Sequence, residues 1–263
     1  MRELGIGILA MVWLLGSAVG VAAEGEGDGS TPDPSDARAR AILGEALQQI
    51  AGAQRVSFRI RGAYDVAQPS GHLLEFGAER RVMLRRPDRL RVEVVRRDGH
   101  RVALTFDGHT AVLHSPAENT YASAQPGTTV DQALDALVEE LRVPVPLVDL
   151  LYSDVAAVVP RSIESGLWVG EARVGGDLCD HVAFESPGIG LQVWVSRGVP
   201  RLPRRIVITY LLEEGAPQFR ADLSEWDLDA ELPDAHFFFT PPEGAERLDF
   251  MKPRPAESAA EGS

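Results

Sequence analysis

Between Leu191 and Leu228 the chain reads as three short runs rich in β-branched and aromatic residues, parted by Gly/Pro turns. No other stretch narrows the possible folds as much. Leu191-Gln-Val-Trp-Val-Ser196 leads into a turn at Arg197-Gly198-Val199-Pro200. Arg201-Leu202-Pro203-Arg204-Arg205 then opens a second run, Ile206 to Tyr210. Glu213 to Pro217 turns the chain into Gln218–Leu223, and the stretch closes on Trp226. Runs of this kind, bounded by turn residues, mark an antiparallel meander. The prolines fall in turns or at strand starts, where a missing ladder N–H is tolerated. The stretch holds no catalytic constellation and reads as a wall.

What the wall encloses depends on the rest of the 263 residues, of which 44% are hydrophobic, enough for a real core. A net charge of -13 argues against general nucleic-acid binding, which needs a basic footprint. Leu4 to Val21 is almost wholly apolar after Arg2, and Val21-Ala22-Ala23 ends in small residues. Residues 1–23 therefore read as a secretory signal cleaved after Ala23, the other reading being an uncleaved anchor. With no cysteine near that point, a lipid anchor is not expected. Residues 24–36 are expected to be a disordered lead and residues 251–263 a disordered tail, with one domain over residues 37–250.

Ser35 or Asp36 can cap a helix running to about Ala53, with Ala39, Ile42, Leu43, Ala46, Leu47 and Ile50 on one face. From Val56 to Tyr121 the pattern is strand and turn, with Asp98-Gly99 and Asp107-Gly108 as hairpin cues. Arginines crowd this region, among them Arg59, Arg61, Arg80, Arg81, Arg91, Arg96 and Arg97. They read first as a solvated outer sheet face relieved by Glu79, Glu93 and Asp98, and second as a patch for an anionic partner. Thr129 with Gln132 three residues on forms a capping box. The helix it opens carries Val130, Leu134, Leu137, Val138 and Leu141 on one stripe, and Pro144 and Pro146 stop it. Such a stripe is core, a lid over a half-open sheet, or both. Strands resume after Pro160, and the last apolar run is His236 to Thr240.

The lone Cys179 reads as a small buried hydrophobe. Cys179, His181 and Glu185 share a strand parity, but zinc wants four ligands and no second cluster supplies them. No nucleophile elbow, zinc-helix or phosphate-loop motif is present. No metal or other cofactor is expected, and catalysis is the lesser expectation.

Arg86-Pro87-x-Arg89-x-Arg91, Phe106-Asp107-Gly108 and Asn119-x-Tyr121 resemble the N-terminal half of the LolA/LolB-like lipoprotein-carrier superfamily. Further stretches resemble a family of predicted periplasmic proteins within it. These are Pro146-Leu147-x-Asp149-Leu150-Leu151, Cys179-x-His181-x-Ala183-Phe184, the meander with Leu202-Pro203-Arg204-Arg205, and Trp226 with Phe237-x-Phe239-x-Pro241-Pro242. The resemblance implies a β-rich α+β fold, a curved antiparallel sheet forming an incomplete barrel with helices on its concave side. It also implies a periplasmic carrier or chaperone, expected to be a monomer. Its partner would be a hydrophobic ligand, either a lipid or a lipidated or hydrophobic polypeptide. The expected cleft lining is Leu134, Leu137, Val138, Leu141, Leu150 and Leu151 on the helices, with Trp194, Ile206, Ile208 and Tyr210 on the sheet. The alternatives are an envelope-stress sensor binding a protein partner in the same cleft, and a hydrolase using His181.

Overall fold

The computed structural model describes residues 33–250 apart from 142 and 144. The expected signal peptide, most of the expected lead and the expected tail lie outside those residues. Helix α1 (Pro34–Gly52) begins earlier than the sequence suggests, because Asp33 is the cap and Pro34 fills the first helical position. The Asp33 carboxylate accepts from the Ser35 N–H at 2.8 Å. The six residues expected on one face of α1 are all buried. Burial of its four large aliphatic side chains contributes about 1.5–3 kcal/mol each, so α1 is held by packing.

The first half of the sheet is a run of antiparallel strands, β1 (Arg55–Ala67), β2 (Leu73–Arg85), β3 (Arg89–Arg96), β4 (Arg101–Phe106), β5 (Ala111–Ser115) and β6 (Thr120–Ala124). A helical segment follows. It comprises α2 (Val130–Asp135), a π-helical turn (Ala136–Glu140), a 3-10 turn (Val148–Leu151), α3 (Val155–Val158) and a second 3-10 turn (Val159–Ser162). The second half is β7 (Ser165–Val174), β8 (Asp177–Ser186), β9 (Ile189–Ser196), β10 (Pro203–Tyr210) and β11 (Gln218–Asp227), and β12 (Glu246–Leu248) ends the described chain.

These form one sheet in the order β12-β6-β5-β4-β3-β2-β1-β11-β10-β9-β8-β7. Neighbours are antiparallel except β12, which runs parallel to β6. The two halves join at β1 and β11, where Ile60 faces Leu223 and Gly62 faces Ala221. Inward residues of β1–β5 and β8–β11 belong to one continuous core cluster with α1, α2 and α3. A flat sheet this wide cannot bring both halves onto the same few helices. It curls into an open half-barrel, the architecture expected.

The convex side has a cover of its own. The chain after β11 crosses β2 and packs Ala230, Leu232 and Phe237 on Met83. Arg85 donates to the Leu232 carbonyl at 3.0 Å and lies over the Phe237 ring. The apolar run seen in the sequence at His236–Thr240 is therefore a strap on the outside of the sheet.

Candidate functional site

Strands β6 and β7 are consecutive in the chain yet lie on opposite sides of the sheet, β7 at one end and β6 next to the other, inside β12. The segment joining them must cross from one side to the other, and it does so over the concave face. Its start is fixed by the expected capping box, in which the Thr129 side chain accepts from the Gln132 N–H and Gln132 accepts from the Thr129 N–H. The Val130 N–H donates to the Pro87 carbonyl at 2.8 Å, which ties α2 to the β2–β3 turn. Arg86 reaches from that turn to the Leu151 carbonyl at 2.8 Å, and the Tyr152 hydroxyl donates to Asp135 at 2.8 Å. The segment is thus folded back on itself and pinned to the sheet.

The π-helical turn is a departure from the sequence reading, which continued an ordinary helix. The Leu141 N–H donates to Ala136 five residues back at 2.9 Å. Widening the turn buries three successive residues, Ala136, Leu137 and Val138, where ordinary helical spacing would expose one. Leu134, Leu137, Leu150 and Leu151 lie in the core cluster; Val138 is buried, and Leu141 is half-buried against the cluster. Leu147, at the corner before the 3-10 turn, has φ 58°, a left-handed conformation that costs a side-chain-bearing residue energy.

Register shows which residues of β9 and β10 share the concave side. Ile206 pairs with Val193, Ile208 with Leu191 and Tyr210 with Ile189, all on the concave side. Ile206 and Ile208 are in the core cluster and Tyr210 packs against it. Trp194 does not belong with them. It has the opposite parity in β9, pairs with Arg205 and His181, and lies on the convex face. Its ring stacks on His181 at 4.0 Å and 9°. Indoles that do pack on the core are Trp168 and Trp226. Trp226 reaches the inside because a bulge at Glu225, φ 54°, adds a residue to the strand and reverses its parity. It stacks on Phe58 at 4.2 Å and its Nε1 donates to the Pro203 carbonyl at 2.9 Å.

Polar groups that sequence reasoning left out also face inward. Asp149, on the 3-10 turn, has its carboxyl pushed up by burial. Tyr210 is pushed up to about 12, first by burial and then by the charges of Glu213 and Asp149. Arg80 sits in the row Leu74, Phe76, Ala78, Arg80, Val82, Leu84, opposite Ile60 and Val94. An arginine inside an apolar alternation was a legible signal, lost because Arg80 was counted with its neighbours.

Arg96 shares the Arg80 parity, and the convex face carries other arginines of that cluster. Arg61 pairs with Glu79 at 3.1 Å, Arg97 with Glu75 at 2.8 Å and Arg205 with Asp222 at 2.7 Å. This is the solvated outer face expected. Cys179 is buried, its thiol is pushed up by burial, and it contacts the Asp177 carbonyl at 3.6 Å. His181 bonds Gln192 at 3.1 Å and its imidazole is held down by burial. His181 is thus held between the Trp194 ring and the Gln192 side chain. Among the described residues no group of three or more His, Cys, Asp or Glu could hold a metal ion. A surface pocket of about 260 Å³ beside Arg197, Arg204 and Trp226 is open and partly charged.

A family model described as "Predicted periplasmic protein (DUF2092)" matches residues 39–251. No curated protein matches. Among solved structures, an uncharacterized conserved protein from Thermus thermophilus is 13% identical, with a TM-score of 0.46 over 81% of this chain and 99% of that one. The Mycobacterium tuberculosis lipoprotein LppX is also 13% identical, with a TM-score of 0.46 over 76% of this chain and 100% of that one. A LolA superfamily protein from Nitrosomonas europaea is 11% identical, with a TM-score of 0.38 over 76% and 97%. No described helix is long and apolar enough to cross a membrane.

Proposed function

We propose that this chain, which belongs to the family of predicted periplasmic proteins whose model spans residues 39–251, is a non-catalytic carrier that holds a hydrophobic ligand between sheet and helical segment. The observation that carries this reading is the crossing of the concave face by an apolar segment strung between opposite sides of the sheet. The segment carries a π-helical turn, a feature frequent at functional sites. It also has a strained corner at Leu147. Lifting it would expose a continuous apolar trough lined by Leu134, Leu137, Val138, Leu141, Leu150 and Leu151 from above and Ile206, Ile208 and Tyr210 from below. Trp194 is excluded from the lining by its parity.

The test is native mass spectrometry of the mature protein purified from a periplasm, with lipid extraction in parallel. A discrete bound mass of acyl-chain chemistry is expected. A clean apo mass with no uptake of added lipid would overturn the carrier. Recovery of one stoichiometric envelope protein and no lipid would replace it with the sensor.

A further inference from the structure

We propose that the ligand is an anionic amphiphile whose acyl part lies in the trough and whose carboxylate or phosphate oxygens are taken by Arg80, with Arg96 beside it. This rests on the carrier reading and adds the chemistry of the head group.

Arg80 is placed on the concave floor by strand register, and its side chain lies along that floor. A Cβ added at Gly62 would meet Arg80 Nη1 and Phe219 Cε2, each at 3.2 Å. The missing side chain of Gly62 is therefore the slot in which the guanidinium rests, beside the Phe219 ring. Arg80 makes no hydrogen bond or ion pair among the described residues. Arg96 shares its parity through the pairing with Ala78, and its like charge repels that of Arg80. Burial, above all, brings the Arg80 guanidinium down to about 10, so it stays charged at neutral pH while lacking a partner.

The carboxylates of these strands cannot supply that partner. Glu75, Glu79 and Glu93 have the opposite parity in β2 and β3, and Asp65 the opposite parity in β1. Each is already paired on the convex face, with Arg97, Arg61, Arg91 and Arg220 respectively. Arg80 on the apolar floor, with the exposed Arg96 on the same side of the sheet, favours an anion that brings its own apolar body. The approach is suited to such a body. Leu74 and Phe76 continue the Arg80 row toward the sheet rim, and they are 48% and 47% exposed. Tyr64 stacks on Phe76 at 6.0 Å and completes that strip. An acyl chain sliding along it meets the guanidinium where the covered part of the trough begins. A carboxylate and a phosphate present the same pair of oxygens, so fatty acids and anionic phospholipids share this chemistry.

The experiment measures binding of oleate, dioleoylphosphatidic acid and the uncharged oleyl alcohol to the full mature chain, to Arg80→Gln and to Arg81→Gln. Arg81 is the exposed neighbour on the convex face and serves as the charge-matched control. Wild type is expected to bind an anionic probe at least about tenfold more tightly than oleyl alcohol. Arg80→Gln should lose that preference with oleyl alcohol binding and melting temperature unchanged, and Arg81→Gln should behave as wild type. Preference for oleate over phosphatidic acid, or the reverse, assigns the head group. Equal binding of charged and uncharged probes by wild type overturns the anion site and leaves the carrier standing. An equal loss for all probes in Arg80→Gln does the same. If wild type binds no probe, the carrier reading falls and the anion site with it.

Discussion

Leu137→Ala separates a lid that is part of the folded core from one that merely rests on it. Leu137 is 0% exposed and lies in the same cluster as Val82, Leu90 and Phe106 of the sheet. Removing three buried carbon groups loses about 2.4 kcal/mol at roughly 0.8 kcal/mol each. A residual cavity raises this within the range of about 2–5 kcal/mol seen for such truncations. We take about 3 kcal/mol. For a domain of this size each kcal/mol moves the melting temperature by about 2–4 °C, so a fall of about 6–12 °C is expected. The measurement is calorimetry, with urea melts to show that the denaturant slope is unchanged. Ligand binding should move the other way. An apolar ligand entering the trough displaces the contacts Leu137 makes with the sheet, and weakening them makes opening easier. Affinity should rise, by up to about tenfold for each 1.4 kcal/mol no longer spent on opening. A fall in melting temperature below about 2 °C would refute the placement of Leu137 in the cooperative core. Weaker binding would refute displacement as the way the ligand enters.

Three further outcomes follow from charges placed by the fold. Asp65 is held below the usual carboxylate range, first by its hydrogen bond from Arg220. Its stabilisation is present above the unfolded value near pH 4 and lost as pH falls through the lower folded value. Asp65→Asn should cost about 2 kcal/mol at pH 7 in urea melts, a difference that closes toward pH 2. Asp149 has the opposite sign: its carboxyl is raised by burial, so stability is lost as pH rises through the folded value. Asp149→Asn should raise the melting temperature at pH 7 and leave it unchanged near pH 3. Asp180 is 3% exposed, accepts from Trp168 Nε1 at 3.0 Å and is bridged to Arg201, with Arg197 at 3.6 Å and Arg38 at 3.7 Å. Asp180→Ala should cost about 3–5 kcal/mol and change the near-ultraviolet signal of Trp168.

The local features were legible because their causes are local. The Asp-Gly turns and the Thr129 capping box depend on residues within a few positions, and the buried face of α1 depends on spacing alone. The misses share a different cause. Trp194 lies on the face opposite to the one expected because inward parity is set by pairing partners far along the chain. The bulge at Glu225 that turns Trp226 inward is equally invisible in local spacing. The π-helical turn leaves no mark in a pattern of apolar spacing that an ordinary helix also satisfies. Strand β12 was unreadable because a short, exposed strand has no hydrophobic pattern. Arg80 is intermediate: its row of alternating residues is visible in the sequence, but its charge groups it with the convex arginines.

The connection from β6 to β7 makes the half-barrel and its crossing segment a bow and its string. The capacity of such a device is governed by the length of the string as much as by the side chains that line it. Each residue inserted between α2 and α3 adds up to about 3.5 Å of contour, comparable to the width of an acyl chain. On the carrier reading proposed above, loop length here is a gauge: chains with a longer string would span bulkier cargo on the same sheet, and a shortened string would pull the two edges together until nothing enters.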